Sequence, residues 1–142
     1  MTPPTRRAVC AWLAAAACAP GDTDSPDASN VDLTDGTWWP VPLADHPALG
    51  EVGGAEVVDV PEAYLHVVVA QVEPDRFVAV WAICSHGACA VSYFPDNRAL
   101  DCPCHGSRFG EDGSVLRGPA TRALASFPAI RVDDVVWVQR AA

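Results

Sequence analysis

Lysine is absent from this chain, and all nine basic residues among its 142 are arginine. The 18 Asp and Glu residues outweigh them and give a formal net charge of −9 at pH 7. Proteins that bind nucleic acid use Lys and Arg to neutralise phosphates, so this charge balance argues against a nucleic-acid partner. Long-range electrostatics would instead steer such an acidic protein toward a basic partner.

A long apolar run is also missing. The longest, residues 8–19, holds twelve residues, whereas a membrane-spanning helix needs about 20. Because this run follows Arg6 and Arg7, residues 1–17 resemble a twin-arginine export signal, with an ordinary secretory signal as the alternative. Residues 15–18 resemble a lipobox and predict a lipid on Cys18, with simple cleavage after Ala19 as the alternative. We expect an exported protein, anchored by this lipid on the periplasmic side of a bacterial membrane.

The chain also lacks any long segment in which apolar residues recur with the period of an α-helix. Residues 18–30 hold no core-forming side chain and predict a flexible acidic tether. From residue 31 to residue 142 the composition fits one folded domain, in which short β-type runs alternate with Gly, Pro, Asp and Asn. We therefore expect an all-β domain of short antiparallel strands. The predicted strands are residues 38–43, 56–60, 63–72, 76–83, 124–132 and 135–139, and the third and fourth of them form a hairpin.

Two short segments of this domain combine cysteine with histidine. The first contains Cys84 and His86. Fifteen residues separate His86 from Cys102, which begins the second segment and is followed by His105. Two thiolates and two imidazoles suit a 2Fe–2S cluster with cysteine on one iron and histidine on the other. A structural zinc site is the alternative, although such sites usually draw on C-x₂₋₄-C and H-x₃₋₅-H pairs.

These segments, Cys84-Ser-His-Gly-Ala-Cys89 and Cys102-Pro-Cys-His-Gly-Ser107, resemble the cluster-binding boxes of Rieske iron–sulfur proteins. The two additional cysteines extend the resemblance to the disulfide-bearing, high-potential members, found in cytochrome bc-type complexes and in arsenite oxidase. The resemblance implies a Rieske-type antiparallel β-sandwich, with a small cluster-binding subdomain of two hairpin-like loops. It also implies one 2Fe–2S cluster per chain.

The resemblance gives six side chains a role at the cluster. Four would bind iron in two pairs, Cys84 with Cys102 and His86 with His105. The other two, Cys89 and Cys104, would form a disulfide.

Three further positions follow from the same resemblance. Ser107 matches the serine whose hydroxyl bonds to a bridging sulfide. Phe109 stands where the highest-potential members carry a tyrosine, so we expect a positive potential below theirs. Residues 118–120 resemble the proline-containing loop that covers the cluster, with a plain surface turn as the alternative.

Taken together, these features predict a carrier of single electrons with no catalytic site of its own. Histidine ligation removes negative charge from the cluster and raises its reduction potential, to roughly −150 to +300 mV across this class. We expect redox partner proteins, either a cytochrome or an oxidoreductase subunit. One alternative is a dedicated subunit of a quinol- or arsenite-oxidising complex, although Gly87 replaces the leucine usual in quinol-oxidising subunits. The other is a structural metal-binding module without redox function.

Overall fold

The computed structural model describes residues 31–140, in which eleven strands and three short 3₁₀ turns form three antiparallel sheets. The predictions for the export signal, for the lipid on Cys18 and for the tether concern residues outside this range. In chain order the strands are β1 (Trp38–Pro42), β2 (Ala55–Val60), β3 (Leu65–Glu73), β4 (Arg76–Trp81), β5 (Ser92–Phe94), β6 (Ala99–Asp101), β7 (Arg108–Gly110), β8 (Val115–Arg117), β9 (Ser126–Phe127), β10 (Ala129–Val132) and β11 (Val135–Gln139).

Two of the sheets form the predicted β-sandwich, here called the base (residues 31–81 and 126–140). One sheet has the strand order β1-β11-β10, and the other has the order β2-β3-β4-β9. Their inner faces share one core, to which the first sheet contributes Val41 and Val136 and the second Val67, Val69 and Phe77. Each such side chain gains about 1.5–3 kcal/mol on burial, so this core is the main stabilising feature of the base.

The third sheet, β5-β6-β7-β8, belongs to a small subdomain (residues 82–125) that covers the other face of the β3–β4 hairpin. Val68 and Val80 of the hairpin pack there with Leu100, Phe109 and Leu124 of the subdomain. Because both faces of the hairpin are buried, β3 is an almost continuous apolar run rather than an alternating one. The hairpin thus carries the subdomain on one face and the core of the base on the other.

Most predicted strands lie at or near their expected positions, with one correction. The predicted hairpin is β3–β4, and β1 lies at a sheet edge, where its two prolines disturb no ladder. The prediction of one strand over residues 124–132 is wrong, because the chain changes sheets at Pro128. Before it, β9 pairs with β4, and after it, β10 pairs with β11. Proline has no N–H to continue a ladder, so the break falls there.

Within residues 31–140, no helix has the length and apolar character needed to cross a membrane.

Candidate metal centre

Two loops of the small subdomain carry the predicted site residues. The first ligand loop (residues 84–89) lies between β4 and β5, and the second ligand loop (residues 102–107) joins β6 to β7. Each loop closes on itself through its backbone. The N–H of Cys84 donates to the carbonyl of Cys89 at 2.8 Å, and the N–H of Cys102 donates to that of Ser107 at 2.8 Å. Gly106 has a φ of +78°, a left-handed conformation that glycine adopts without strain.

The structure brings the four predicted ligands together as two pairs. The Cys84 and Cys102 thiols are buried and lie within hydrogen-bonding reach of each other. The His86 and His105 rings are exposed, with their centroids 5.0 Å apart. Among residues 31–140, no three His, Cys, Asp or Glu side chains form a group that suits a single metal ion. Two buried thiols and two surface imidazoles match instead the donor set of a two-iron cluster with different ligands on each iron.

A disulfide joins the two ligand loops. Cys89 and Cys104 are bonded, with an S–S distance of 1.89 Å and a Cα–Cα distance of 6.4 Å, which confirms the predicted pairing. Of the cysteines in the described part of the chain, only Cys84 and Cys102 remain as free thiols. The disulfide therefore fixes the spacing of the loops and leaves two thiols for a metal.

The surroundings of Cys84 favour its thiolate form. Burial alone would raise the pKa of this thiol, but hydrogen bonds from the backbone of His86 and Gly87 and from the side chains of Cys102 and Ser107 act against it. Together they hold the pKa of Cys84 below its ordinary value. Since a thiolate, not a thiol, binds metal, these contacts prepare Cys84 as a ligand.

A third segment (residues 118–122, here the cover segment) closes over both ligand loops. The Ala120 N–H donates to the Ser107 hydroxyl at 2.9 Å, and Ala120 is buried in the same core as Cys84. The Ser85 hydroxyl donates to the carbonyl of Arg122. These bonds agree with the predicted role of residues 118–120 as a loop above the site, in place of a plain surface turn.

A charged network fastens the small subdomain to the base. The Arg98 guanidinium donates to both oxygens of Glu111, at 3.1 and 3.0 Å, and to Glu73 of β3 at 3.1 Å. The Tyr93 hydroxyl also donates to Glu111, at 2.8 Å. Burial and the Glu111 carboxylate raise the pKa of Tyr93 to about 12. The network therefore links β3 of the base with three separate parts of the subdomain.

A comparison with known protein families agrees with the cluster site that the geometry suggests. Residues 37–128 match the family model of the Rieske [2Fe-2S] domain. The chain belongs to the Rieske family. Its cofactor is a 2Fe–2S cluster, as predicted, and the Rieske fold is confirmed together with the disulfide.

Curated relatives match part of this Rieske chain. It is 42% identical over 55 residues to cytochrome b6-f complex iron-sulfur subunit 2 of Nostoc sp. (strain PCC 7120), a match that covers 39% of this chain and 31% of that protein. It is 44% identical over 77 residues to the chloroplastic cytochrome b6-f complex iron-sulfur subunit of Pisum sativum, covering 48% and 34%. The chain thus matches about a third of the length of these relatives.

Solved structures share the Rieske fold. The plasma membrane Rieske protein PetC3 from Synechocystis PCC 6803 superposes with a TM-score of 0.56 at 29% identity, over 70% of this chain and 95% of that one. The ferredoxin of carbazole 1,9a-dioxygenase from Nocardioides aromaticivorans IC177 gives a TM-score of 0.59 at 20% identity, over 72% and 98%. At that identity the second similarity concerns the fold alone.

Four contacts of the Rieske site had no counterpart in the sequence analysis. Arg117 donates to the Gly106 carbonyl at 2.9 Å, and Arg108 forms a two-bond ion pair with Asp101, at 2.6 and 2.8 Å. The others are the bonds that hold the cover segment to Ser107 and Ser85. Only the family pattern of a proline-containing third loop pointed to this region, because contacts between distant segments leave no periodic signal in a sequence.

The two remaining histidines of the chain lie in the base. The Nδ1 atom of His46 lies 3.1 Å from Oε1 of Glu56, and the ring of His66 is hydrogen-bonded to the Asp59 carboxylate. Neither lies at the cluster site, and His66 is a half-buried residue of β3.

Proposed function

We propose that this protein is an exported Rieske electron carrier, in which Cys84 and Cys102 bind one iron and His86 and His105 bind the other. The single observation that carries the proposal is the meeting of two buried thiols and two exposed imidazoles on loops joined by the Cys89–Cys104 disulfide. When bound, the cluster accepts one electron and gives it up again.

Three features of the protein would support this electron transfer. Its buried thiols keep the ligand sulfurs away from water, which strengthens electrostatic interactions there. Its exposed imidazoles bring one side of the metal centre to the surface, where a partner can approach. Its disulfide and cover segment hold the loops in place, so the ligand geometry changes little between the two oxidation states.

Spectroscopy of the purified holoprotein tests the cofactor and the electron-carrier role. Iron and acid-labile sulfide should be present in equal amounts, and dithionite should produce a Rieske-type electron paramagnetic resonance signal with a low average g value. A colourless protein that contains zinc and no sulfide would instead support the structural metal-binding module.

Nitrogen couplings test the ligand assignment. Pulsed electron paramagnetic resonance of the reduced protein should detect two histidine nitrogens bound to iron. We expect His105→Cys to remove one coupling, while His46→Gln, which changes a histidine of the base, keeps both. Loss of a coupling in the His46 variant, or two couplings in the His105 variant, would contradict the assignment.

The lipid on Cys18 is supported by the lipobox-like residues 15–18 and is tested by fractionation. In an export-competent bacterial host, wild-type protein should be in the membrane fraction, and mass spectrometry should find an acylated N-terminal Cys18. We expect Cys18→Ser to move the folded protein to the soluble periplasmic fraction. Wild-type protein that is soluble and unmodified would refute the anchor.

A subunit of a larger redox complex is the second candidate function. Similarity to the two cytochrome b6-f complex iron-sulfur subunits favours it. An affinity-tagged chain, purified from its native membranes in mild detergent, would then bring down a cytochrome or an oxidoreductase subunit in constant proportion. A free carrier would be recovered alone.

A further inference from the structure

The negative charge of the chain is unevenly distributed between the base and the small subdomain. The base contains eleven Asp and Glu residues against three Arg, whereas the subdomain contains four against four. Within the subdomain, residues 84–95, 102–110 and 113–125 contain no Asp or Glu. Those are the stretches that form the ligand loops and the cover segment, so the end of the molecule that bears the histidines lacks its own carboxylates.

Two of the four carboxylates elsewhere in the subdomain are paired with arginines of the same subdomain. Asp101 lies next to the second ligand loop. Its two carboxylate oxygens accept hydrogen bonds from Nε and Nη2 of Arg108, at 2.6 and 2.8 Å. Glu111 is held in the same way by Arg98. Arg108 is therefore already neutralised by Asp101.

Two other arginines remain next to the ligand loops. The guanidinium of Arg117 donates to the Gly106 carbonyl, which places its charge beside His105. The Arg122 carbonyl accepts the hydrogen bond from Ser85, which places this residue beside the first ligand loop. Both arginines are exposed, and the ion pairs found among residues 31–140 include neither of them. Each ligand loop thus has one unpaired arginine beside it.

We infer that His86, His105, Arg117 and Arg122 form a docking surface for an acidic protein partner, an inference that rests on the proposed electron-carrier function. The surface therefore combines two exposed imidazoles with two positive charges. Charge complementarity favours a partner that presents Asp and Glu around its own redox centre. The net charge of −9 suggested a basic partner. A basic partner would, however, be repelled by the two arginines at this surface, through which we expect the electron to pass.

Oxidation by small ions of opposite charge tests the local charge. Ferricyanide is a trianion, and its rate of oxidising the reduced holoprotein should fall as ionic strength rises, although the protein as a whole is anionic. The cation tris(phenanthroline)cobalt(III) should show the opposite dependence. Arg117→Gln combined with Arg122→Gln should slow ferricyanide by at least about threefold at low ionic strength, a modest part of the 10–10³-fold range of electrostatic steering.

Poly-L-glutamate is the macromolecular probe. At low ionic strength it should slow the ferricyanide reaction of the wild type by covering the docking surface, and it should have little effect on the double variant. Arg131→Gln is the control for loss of charge from the base, because Arg131 is bonded to Asp75 in the turn between β3 and β4. It should keep the wild-type rate and the wild-type response to poly-L-glutamate.

The outcomes separate this inference from the proposed function. A chain without a reducible cluster overturns both at the spectroscopic step. If the cluster signal is normal but the ferricyanide rate rises with ionic strength, the docking surface is overturned and the electron-carrier function is not. The docking surface is also overturned if poly-L-glutamate does not change the wild-type rate, or if Arg131→Gln slows ferricyanide as much as the double variant does.

Discussion

The buried hydroxyl oxygen of Ser107 accepts a hydrogen bond from the N–H of Ala120, 2.9 Å away. Ser107 also hydrogen-bonds to the sulfur of Cys84, and this contact lowers the pKa of that thiol. Since the Ala120 bond uses the oxygen as an acceptor, the O–H group is free to donate to sulfur. The cover segment thereby orients a hydrogen bond that stabilises negative charge at the metal centre.

Ser107→Ala should lower the reduction potential. The variant removes a donor that stabilises the more negative, reduced state, and a hydrogen bond of about 1.4 kcal/mol corresponds to about 59 mV for one electron. Protein-film voltammetry measures the change. Ser126→Ala, which changes an exposed serine of the base, should leave the potential unchanged. An unchanged or higher potential in Ser107→Ala would show that the hydroxyl does not act on the cluster.

Phe109→Tyr should raise the reduction potential. Phe109 is fully buried in the core that contains Cys84 and Cys102, and we expect a hydroxyl on its ring to donate to a ligand sulfur there. A donor there favours the reduced cluster in the same way as Ser107. The same voltammetric measurement checks this expectation.

Phe77→Tyr is the matched control for that variant, because Phe77 is also buried but packs in the core of the base. It should lower stability without shifting the potential, since a buried hydroxyl without a partner is costly wherever it lies. A similar shift in both variants, or none in Phe109→Tyr, would count against the role of position 109.

The sequence predicted the longer strands and the identity of the site residues, for two different physical reasons. Strands β3 and β4 bury both faces and are therefore long apolar runs, which the hydrophobic pattern detects. The ligand pairs are visible because thiolates and imidazoles are rare and their spacing is specific. Their actual approach, with the rings of His86 and His105 at 5.0 Å, required the structure.

The sheet of the small subdomain was not predicted. Strands β5 to β8 contain three residues each, which is too short for an alternating pattern to stand out. Each of them pairs with the next strand along the chain, so the pairing is local and only the shortness of the strands conceals it. The break at Pro128 was overlooked because the residues on both sides of it are apolar.

Removal of the disulfide should destabilise the protein. The bond between Cys89 and Cys104 closes a loop with a sequence separation of 15, and loops of this size are worth about 3 kcal/mol in the chain-entropy model. Because the cluster also links the two loops, the loss in the double Ser variant should reach at most this value. Urea denaturation followed by circular dichroism measures it.

The cluster of that double variant should also be lost faster, because only the metal–ligand bonds then hold the two ligand loops together. Bleaching of visible absorbance in urea gives the rate. Wild-type protein treated with a reductant that opens the disulfide should behave like the variant. A cluster that bleaches at the wild-type rate would indicate that the cover segment alone fixes the loops.

The raised pKa of Tyr93 predicts a loss of stability at alkaline pH. Its neutral form is favoured in the folded chain, where the pKa rises from 10.0 to about 12. The stabilisation is complete below pH 10 and disappears as the pH rises from 10 to about 12. In Tyr64→Phe, which leaves Tyr93 as the only tyrosine, the tyrosinate absorbance should therefore titrate near pH 12 after a rapid pH jump.

Glu111→Gln in the same Tyr64→Phe background should move this titration to lower pH, because burial and the Glu111 carboxylate are the groups that raise the pKa. The variant also removes the negative charge of Glu111 and one of the two oxygens that accept from Arg98, so the small subdomain should separate from the base at lower urea concentration. Glu62→Gln, in an exposed turn of the base, is the control for the loss of one carboxylate. If Tyr93 titrates at the same pH with and without Glu111, the hydroxyl is not bonded to that carboxylate in solution. If the urea midpoint is also the same, the network does not fasten the subdomain.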